Sequence, residues 1–241
     1  WVAVNEPKNA SRIAAICLPH DYLSWRLAGY GPAGESQYGP DLSALATDAS
    51  DASGTGYFNP ATGEYVAEIL EWILGRVPQL PRIVAPGEAA YEASPERDGF
   101  KGLIAGGAGD NAAAGLGVGA SNGDVVVSLG TSGTVFAVSA TATQDETGTI
   151  AGFASASGSF LPLVCTLNAA RVLDRFADLL SVNHDQLGEL ALQAAPGAGG
   201  VVLVPYFEGE RTPNLPDATA SLSGLTLANS TRANFARAAI E

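Results

Sequence analysis

Two glycine-rich turns, each bounded by apolar residues, constrain this chain more than any other feature. The first is Gly107-Ala108-Gly109-Asp110-Asn111-Ala112, which follows the run Gly102-Leu103-Ile104-Ala105-Gly106 and precedes an Ala/Gly-rich stretch through Gly117. Such a pattern predicts a short buried strand, a tight turn and a helix. The second, Ser128-Leu129-Gly130-Thr131-Ser132-Gly133-Thr134, joins Val125–Leu129 to Thr134–Ser139 and predicts a hairpin. Chains that alternate strands and helices in this way belong to the α/β class.

The remaining segments read less sharply. Residues 1–29 have helical spacing, broken at Leu18-Pro19-His20-Asp21 and stopped at Gly29; residues 30–63 are rich in Gly, Ser, Asp and Ala. Val66–Leu74 is a helix closed by Gly75 and Pro78, and Pro81–Phe100 reads as an irregular surface connection. A further strand pair is expected near Ile150–Ala156 and Phe160–Val164. Asn168–Leu180 is an amphipathic helix whose apolar face holds Val172, Leu173, Phe176, Leu179 and Leu180. Asn183 caps a helix ending near Ala195, Gly199–Tyr206 is strand-like, and Glu208–Pro216 is a polar loop. Ser230 or Thr231 caps a last helix. The Asn122-Gly123 turn is the expected boundary between two domains, 1–121 and 122–241.

Composition removes several classes of function. The 241 residues hold 25 acidic and 12 basic side chains, a formal charge of −13, so non-specific binding to nucleic acid is not expected. With 46% hydrophobic and 15% charged residues the chain has the makings of a core. The longest apolar run, around Val201–Val204, is far below the ~20 residues that span a bilayer, so no membrane association is expected. No secretion signal is read at the start, and Cys17 and Cys165 are expected as two buried thiols in a reducing compartment. With only His20 and His184, in no ligand spacing, a zinc site is not expected, and neither is Ser-His-Asp hydrolysis. Methionine is absent altogether, from which an incomplete chain is expected.

Each glycine turn admits two chemistries. The first fits the G-x-G-x-x-A dinucleotide pattern, but Asp110 would put a carboxylate where the pyrophosphate should sit. Asp110 is then either a helix N-cap or a general base kept ionised by the helix N-terminus, and one oxygen could do each. The second turn is either an ordinary hairpin turn or a cradle in which backbone N–H groups and the Thr131 and Ser132 hydroxyls face phosphate oxygens. It lacks the lysine of a Walker A loop.

Taken in order, the motifs resemble those of the FGGY carbohydrate kinases, and most closely the family's D-xylulose-phosphorylating branch. WVAVNEP (1–7) is similar to the end of the first family signature, LPHDYLSWRLAG (18–29) to a family helix, and TDASDASGT (47–55) to a stretch of the pentulose-kinase branch. GGAGDNAAAGLGVG (106–119) resembles the catalytic-base motif, SLGTSG (128–133) the phosphate motif, YFEGERTP (206–213) a branch-specific loop, and residues 220–241 the second signature. The resemblance implies an actin-like ATPase (ribonuclease H-like) fold with two lobes and a cleft, acting in the cytoplasm. It implies transfer of phosphate from ATP, with Mg²⁺, to the C5 hydroxyl of D-xylulose. Asp110 would be the general base and a sugar contact, Asn111 a second sugar contact, and Gly130, Thr131, Ser132 and Gly133 would line the ATP phosphates. The partners would be a small-molecule sugar and MgATP, with a homodimer as one form of assembly. Gluconokinase, ribulokinase and glycerol kinase activities stay open, as does a non-catalytic sugar- or nucleotide-binding module.

Other positions carry smaller expectations. His20 stands where the family often has a basic residue and reads as structural or surface. Glu210 and Arg211 either pair within their loop or reach towards the cleft, and Asp48 and Asp51 read as caps rather than loop ligands. The family's D-x-G-T hairpin, its Met-His-Gly-Gln segment and its late Gly-Gly-Gly motif are missing. The chain is therefore expected to hold the second half of the sugar lobe and the first half of the ATP lobe. It is expected to be inactive alone. A shortened Glu88–Lys101 connection, with internal residues missing, is also expected.

Overall fold

Proline and glycine set where the helices begin and end in the computed structural model, which describes residues 1–93 and 101–241. Helices α1 (Val2–Asn5) and α2 (Pro7–Ala10) are single turns separated at Pro7. The expected helix does not continue: Ala15 bridges Gln79 in parallel, and the Ile16 N–H donates to the Gln79 carbonyl at 3.1 Å. Helix α3 (Pro19–Leu27) then starts with proline as its first residue, a position whose N–H would be unbonded anyway. The Asp21 carboxylate reaches back to the Leu18 N–H at 2.7 Å, so Leu18–Asp21 starts a helix rather than interrupting one.

Next come β1 (Ala46–Asp48), α4 (Ala49–Ala52), β2 (Phe58–Asn59), β3 (Glu64–Tyr65) and α5 (Ala67–Leu74). Strands β4 (Arg82–Val84) and β5 (Ala89–Glu92) replace the irregular segment expected from Pro81 onwards, whose residues 94–100 lie outside the described residues. Strand β6 (Leu103–Ala105) pairs antiparallel with β5, and its Leu103 is 71% exposed, so it is not the buried strand its composition predicts. Side chains of a strand point to its two faces, and a short apolar run does not reveal whether a layer packs over each of them. Helix α6 (Asp110–Gly117) follows.

The chain continues through β7 (Val125–Leu129), β8 (Gly133–Ala137), β9 (Ala151–Ala154) and β10 (Phe160–Thr166). The end is α7 (Ala170–Leu180), α8 (His184–Leu192), β11 (Val202–Val204), β12 (Ser221–Ser223) and α9 (Arg232–Ile240). Two compact units result. The first comprises residues 1–125, 137–146 and 151–162, and the second 126–136, 147–150 and 163–241.

In the first unit β1 and β4 pair in parallel, Ala46 opposite Arg82 and Asp48 opposite Val84. Ala46, Val84 and Ala90 form a small core beneath them. An aromatic group orders the polar stretch beyond α3. Trp25 is buried and donates from Nε1 to the Asp41 carbonyl at 2.8 Å, Tyr30 stacks on it at 6.0 Å, and Tyr91 donates to the Ala44 carbonyl at 2.8 Å. Cys17 and Cys165 are free and half-buried, not the fully buried pair expected, and burial pushes the Cys17 thiol up.

The core of the second unit lies among α7, α8 and α9. Val172, Phe176 and Leu180 recur at helical spacing and meet Leu187, Ala191 and Ala236, whereas Leu179 is 65% exposed and leaves the apolar face. Both expected caps form: Asn183 Oδ1 accepts from the Gln186 N–H at 2.9 Å, and Thr231 rather than Ser230 accepts from Asn234 at 3.1 Å. No helix among the described residues is long and apolar enough to cross a membrane.

Glu210 ties the β10–α7 junction to the loop before β12. Only 3% exposed, it accepts from Thr166 Oγ1 at 2.5 Å, Leu167 N at 2.9 Å, Asn168 Nδ2 at 3.1 Å and Arg211 N at 2.6 Å. Its partner in the Glu-Arg pair is thus the Arg211 backbone within the loop. Burial is the largest influence on its carboxyl and acts upward, but the four hydrogen bonds outweigh it and bring the pKa down from 4.5 to about 2.

Two outcomes follow for stability. A carboxylate with a lowered folded-state pKa adds stability above pH 4.5 that disappears as the pH falls to about 2, here about 3 kcal/mol. Denaturation of Glu210→Gln across that window should be flatter in pH and weaker at neutral pH by a similar amount; an unchanged pH slope would show that Glu210 contributes nothing. Phe176→Ala, which empties the most central position of α7, should cost ~3–5 kcal/mol in denaturant unfolding followed by far-ultraviolet circular dichroism.

Candidate functional site

The loop between β6 and α6 is held by two other chain segments. The backbone turns left-handed at Gly107, φ +97°, and a Cβ there would stand 2.4 Å from His20 Nε2. A Cβ at Gly106 would stand 2.9 Å from Val84 Cβ. Glycine at both positions lets the loop lie against α3 and β4, and no dinucleotide is needed to explain the pattern.

His20 closes the first end of the loop. Its Nε2 is 3.1 Å from the Gly106 carbonyl oxygen and 3.1 Å from Asp21 Oδ1, and its Nδ1 is 2.8 Å from Asp51 Oδ2. It is a structural histidine, half-buried. Burial pushes the Asp21 carboxyl up, against the opposing pull of the Leu18 N–H and of His20.

Ser50 closes the other end. Its Oγ accepts from the Gly109 N–H at 2.9 Å and donates to Asp48 Oδ2. Asp48 is the N-cap of α4, as expected, and accepts the Ser50 N–H at 2.7 Å. Asp51, expected as a cap, is instead a residue of α4 that faces His20.

Asp110 is the first residue of α6 and does not cap it. Gly109 holds the N-cap position with extended backbone, φ −62° and ψ 152°, and no side chain caps the helix. The Asp110 carboxylate is exposed, and its Oδ1 accepts from the Asn111 N–H at 2.7 Å and Asn111 Nδ2 at 3.1 Å. Among the described residues Oδ2 has no hydrogen-bond partner. The two residues expected to contact sugar are therefore bonded to one another. A cavity of about 200 Å³ opens beside the loop, lined by Asp48, Pro86, Gly106, Gly107, Leu116 and Ser155 among others; neither Asp110 nor Asn111 lines it.

The second turn lies in the other unit. Gly130, Thr131 and Ser132 are exposed, and Gly133 is buried, where a Cβ would come 3.1 Å from Thr166 Cγ2. The Gly130 N–H donates to the Ser132 carbonyl at 3.0 Å, and the Gly130 carbonyl accepts from Ala170 N, at the start of α7, at 2.9 Å. The turn is thus fixed to the positive end of an 11-residue helix and holds two hydroxyls in solvent. These residue types fit a polyphosphate, and no side chain of the turn carries charge. Next to it lies a cavity of about 310 Å³ lined by Leu129, Ala170, Val172, Leu203, Pro205 and Ile240 among others.

Sequence spacing identified Asp110 and both turns but assigned no role to Ser50 and only a passive one to His20. The one available signal was the position of His20 where a basic residue is usual.

The chain is 45% identical to a xylulose kinase of Streptomyces rubiginosus, over 93% of this chain and 43% of that protein. It is 44% identical to a xylulose kinase of Streptomyces coelicolor, again over 93% of the chain and 43% of the relative. Among solved structures, a xylulose kinase from Bifidobacterium adolescentis superposes with a TM-score of 0.90 and 49% identity, over 100% of this chain and 51% of that one. The fold is thus that of the sugar kinases, the actin-like ATPase fold. The chain spans about half the length of the curated relatives it matches. The N-terminal domain of the FGGY family of carbohydrate kinases matches residues 1–117 and its C-terminal domain residues 125–241, and the chain belongs to that family.

Proposed function

We propose that these residues serve an ATP-dependent D-xylulose kinase of the cytoplasm that phosphorylates the C5 hydroxyl to give D-xylulose 5-phosphate. The observation that carries the reading is the 45–49% identity to proteins named xylulose kinase, together with an exposed carboxylate on Asp110 that has one oxygen unbonded among the described residues. On this reading residues 1–121 belong to the sugar-binding lobe and 122–241 to the ATP-binding lobe.

Asp110 is the general base. Its Oδ1 is oriented by Asn111, and Oδ2 accepts the proton of the attacking hydroxyl. Asn111 spends its N–H on Asp110 and shares its side-chain amide with the sugar. Thr131 and Ser132 hold the phosphates through N–H groups and hydroxyls; Gly130 lines them and shapes the turn, its own N–H bonded to the Ser132 carbonyl, and Gly133 allows the close approach of β8 to Thr166. Mg²⁺, bound with the nucleotide, supplies the neutralisation of charge that phosphoryl transfer needs.

In the full-length protein Asp110→Ala should lower kcat with D-xylulose by about 10²–10⁴-fold while circular dichroism stays the same; retained turnover would remove Asp110 from the role of base. A panel of D-xylulose, D-ribulose, gluconate and glycerol should give the largest kcat/KM with D-xylulose, and a higher value for another acceptor would replace the substrate. Thr131→Val should raise KM for ATP about fivefold, the worth of roughly one hydrogen bond, and leave KM for the sugar alone.

A further inference from the structure

Three segments distant in sequence meet at the loop that precedes Asp110. Residues 20–21 come from the start of α3, residues 48–51 from β1 and α4, and residues 106–109 from the loop itself. The loop's two ends are gripped from opposite sides. At one end the Gly106 carbonyl faces His20 Nε2 at 3.1 Å; at the other the Gly109 N–H donates to Ser50 Oγ at 2.9 Å. Between them the chain is Gly107-Ala108, which has little intrinsic preference of its own.

The His20 ring is itself fixed. Its Nδ1 stands 2.8 Å from Asp51 Oδ2, and its Nε2 faces Asp21 Oδ1 as well as the Gly106 carbonyl, with Asp48 Oδ1 at 3.9 Å. Each ring nitrogen faces oxygen acceptors, so the ring is held between the loop and the 48–51 segment. Asp48 and Asp51 also belong to the segment that holds Ser50, so the two grips share one support. Asp110 follows Gly109 directly, and its direction is set by where Gly109 is held.

We propose that His20, with Ser50 as its counterpart, is a positioning residue for Asp110: it holds the 106–109 loop so that the carboxylate meets the acceptor hydroxyl. The inference rests on Asp110 being the base. A displacement of about 1 Å at a reacting group can cost on the order of 10²-fold in rate, so loosening this loop should affect the chemical step first.

The test uses the full-length protein with D-xylulose and ATP. His20→Ala should lower kcat on the order of 10- to 100-fold and leave KM for ATP within about twofold. His20→Lys, which restores an N–H donor towards the Gly106 carbonyl, should bring kcat back to within about threefold of the parent. In an Asp110→Asn background His20→Ala should cause no further loss, because it acts through Asp110; a purely structural role would add its own loss. A kcat within about twofold of the parent for His20→Ala would overturn the proposal, and so would a folded His20→Lys that stays slow. If His20→Ala does not fold, the Lys variant alone decides in the same terms. Asp110→Asn with normal turnover would mean that the base has been misread; an inactive Asp110→Asn beside a normal His20→Ala would sink only the positioning role.

Discussion

The first unit depends on how the backbone between β6 and α6 satisfies its polar groups. A glycine-rich loop packed against α3 and β4 exposes its peptide groups to neighbouring elements, and each unpaired buried group would cost about 1–3 kcal/mol. His20 and Ser50 supply the partners, and both are connected to Asp48 or Asp51. Asp48 takes on two tasks with one carboxylate, capping α4 and accepting the Ser50 hydroxyl. The parallel β1–β4 pairing brings Asp48 opposite Val84, the side chain against which Gly106 lies. Sheet register, helix cap and loop are thus one arrangement rather than three.

The second unit solves an analogous problem with one buried acid. The β10–α7 junction has backbone donors at Leu167 and Asn168 that no strand or helix uses in full. Glu210 accepts from Leu167 and from the Asn168 side chain, while Asn168 Oδ1 receives the Phe207 N–H at 3.2 Å. The loop from 207 to 210 is thereby attached to the start of α7, and the Gly130 carbonyl bonds to that same start. A rigid α7 N-terminus therefore holds the 130–133 turn in place. Hydrogen bonds to an ionised acceptor are roughly twice as strong as neutral ones, which suits a junction that must not drift.

What could be read from sequence was local. Pro19 and Asp21 at the start of α3, Asn183 and Gln186 at α8, and the glycines of the two turns act within a few residues, so spacing exposes them. The limits of a helix depend on tertiary contacts, which is why residues 11–18 read as helical although Ile16 pairs with Gln79. Leu103 read as buried because an apolar run carries no sign of which strand face is left uncovered. At the candidate site Asp110 was legible and His20 was not, because a histidine among scattered aspartates means nothing until the chain brings residues 20, 51 and 106 together. Asp110 also missed its expected cap position by one residue: the glycine before it, bonded to Ser50, had already taken it.

Charge is divided between the two candidate sites in a way that the overall value of −13 conceals. The first unit concentrates Asp21, Asp48, Asp51 and Asp110 around a single loop, with His20 set against the first three. The turn at 128–134 is Ser-Leu-Gly-Thr-Ser-Gly-Thr and contains no charged side chain at all. A carboxylate can take a proton from a hydroxyl, and on the proposed reading Asp110 offers one at the start of α6. A polyphosphate already carries its own negative charge, so an acidic lining would repel it, and fixed N–H dipoles, hydroxyls and a helix N-terminus bind it without that penalty. On the proposed chemistry each kind of group stands where its charge would help, and the turn residues that would meet an anionic nucleotide carry no charge of their own.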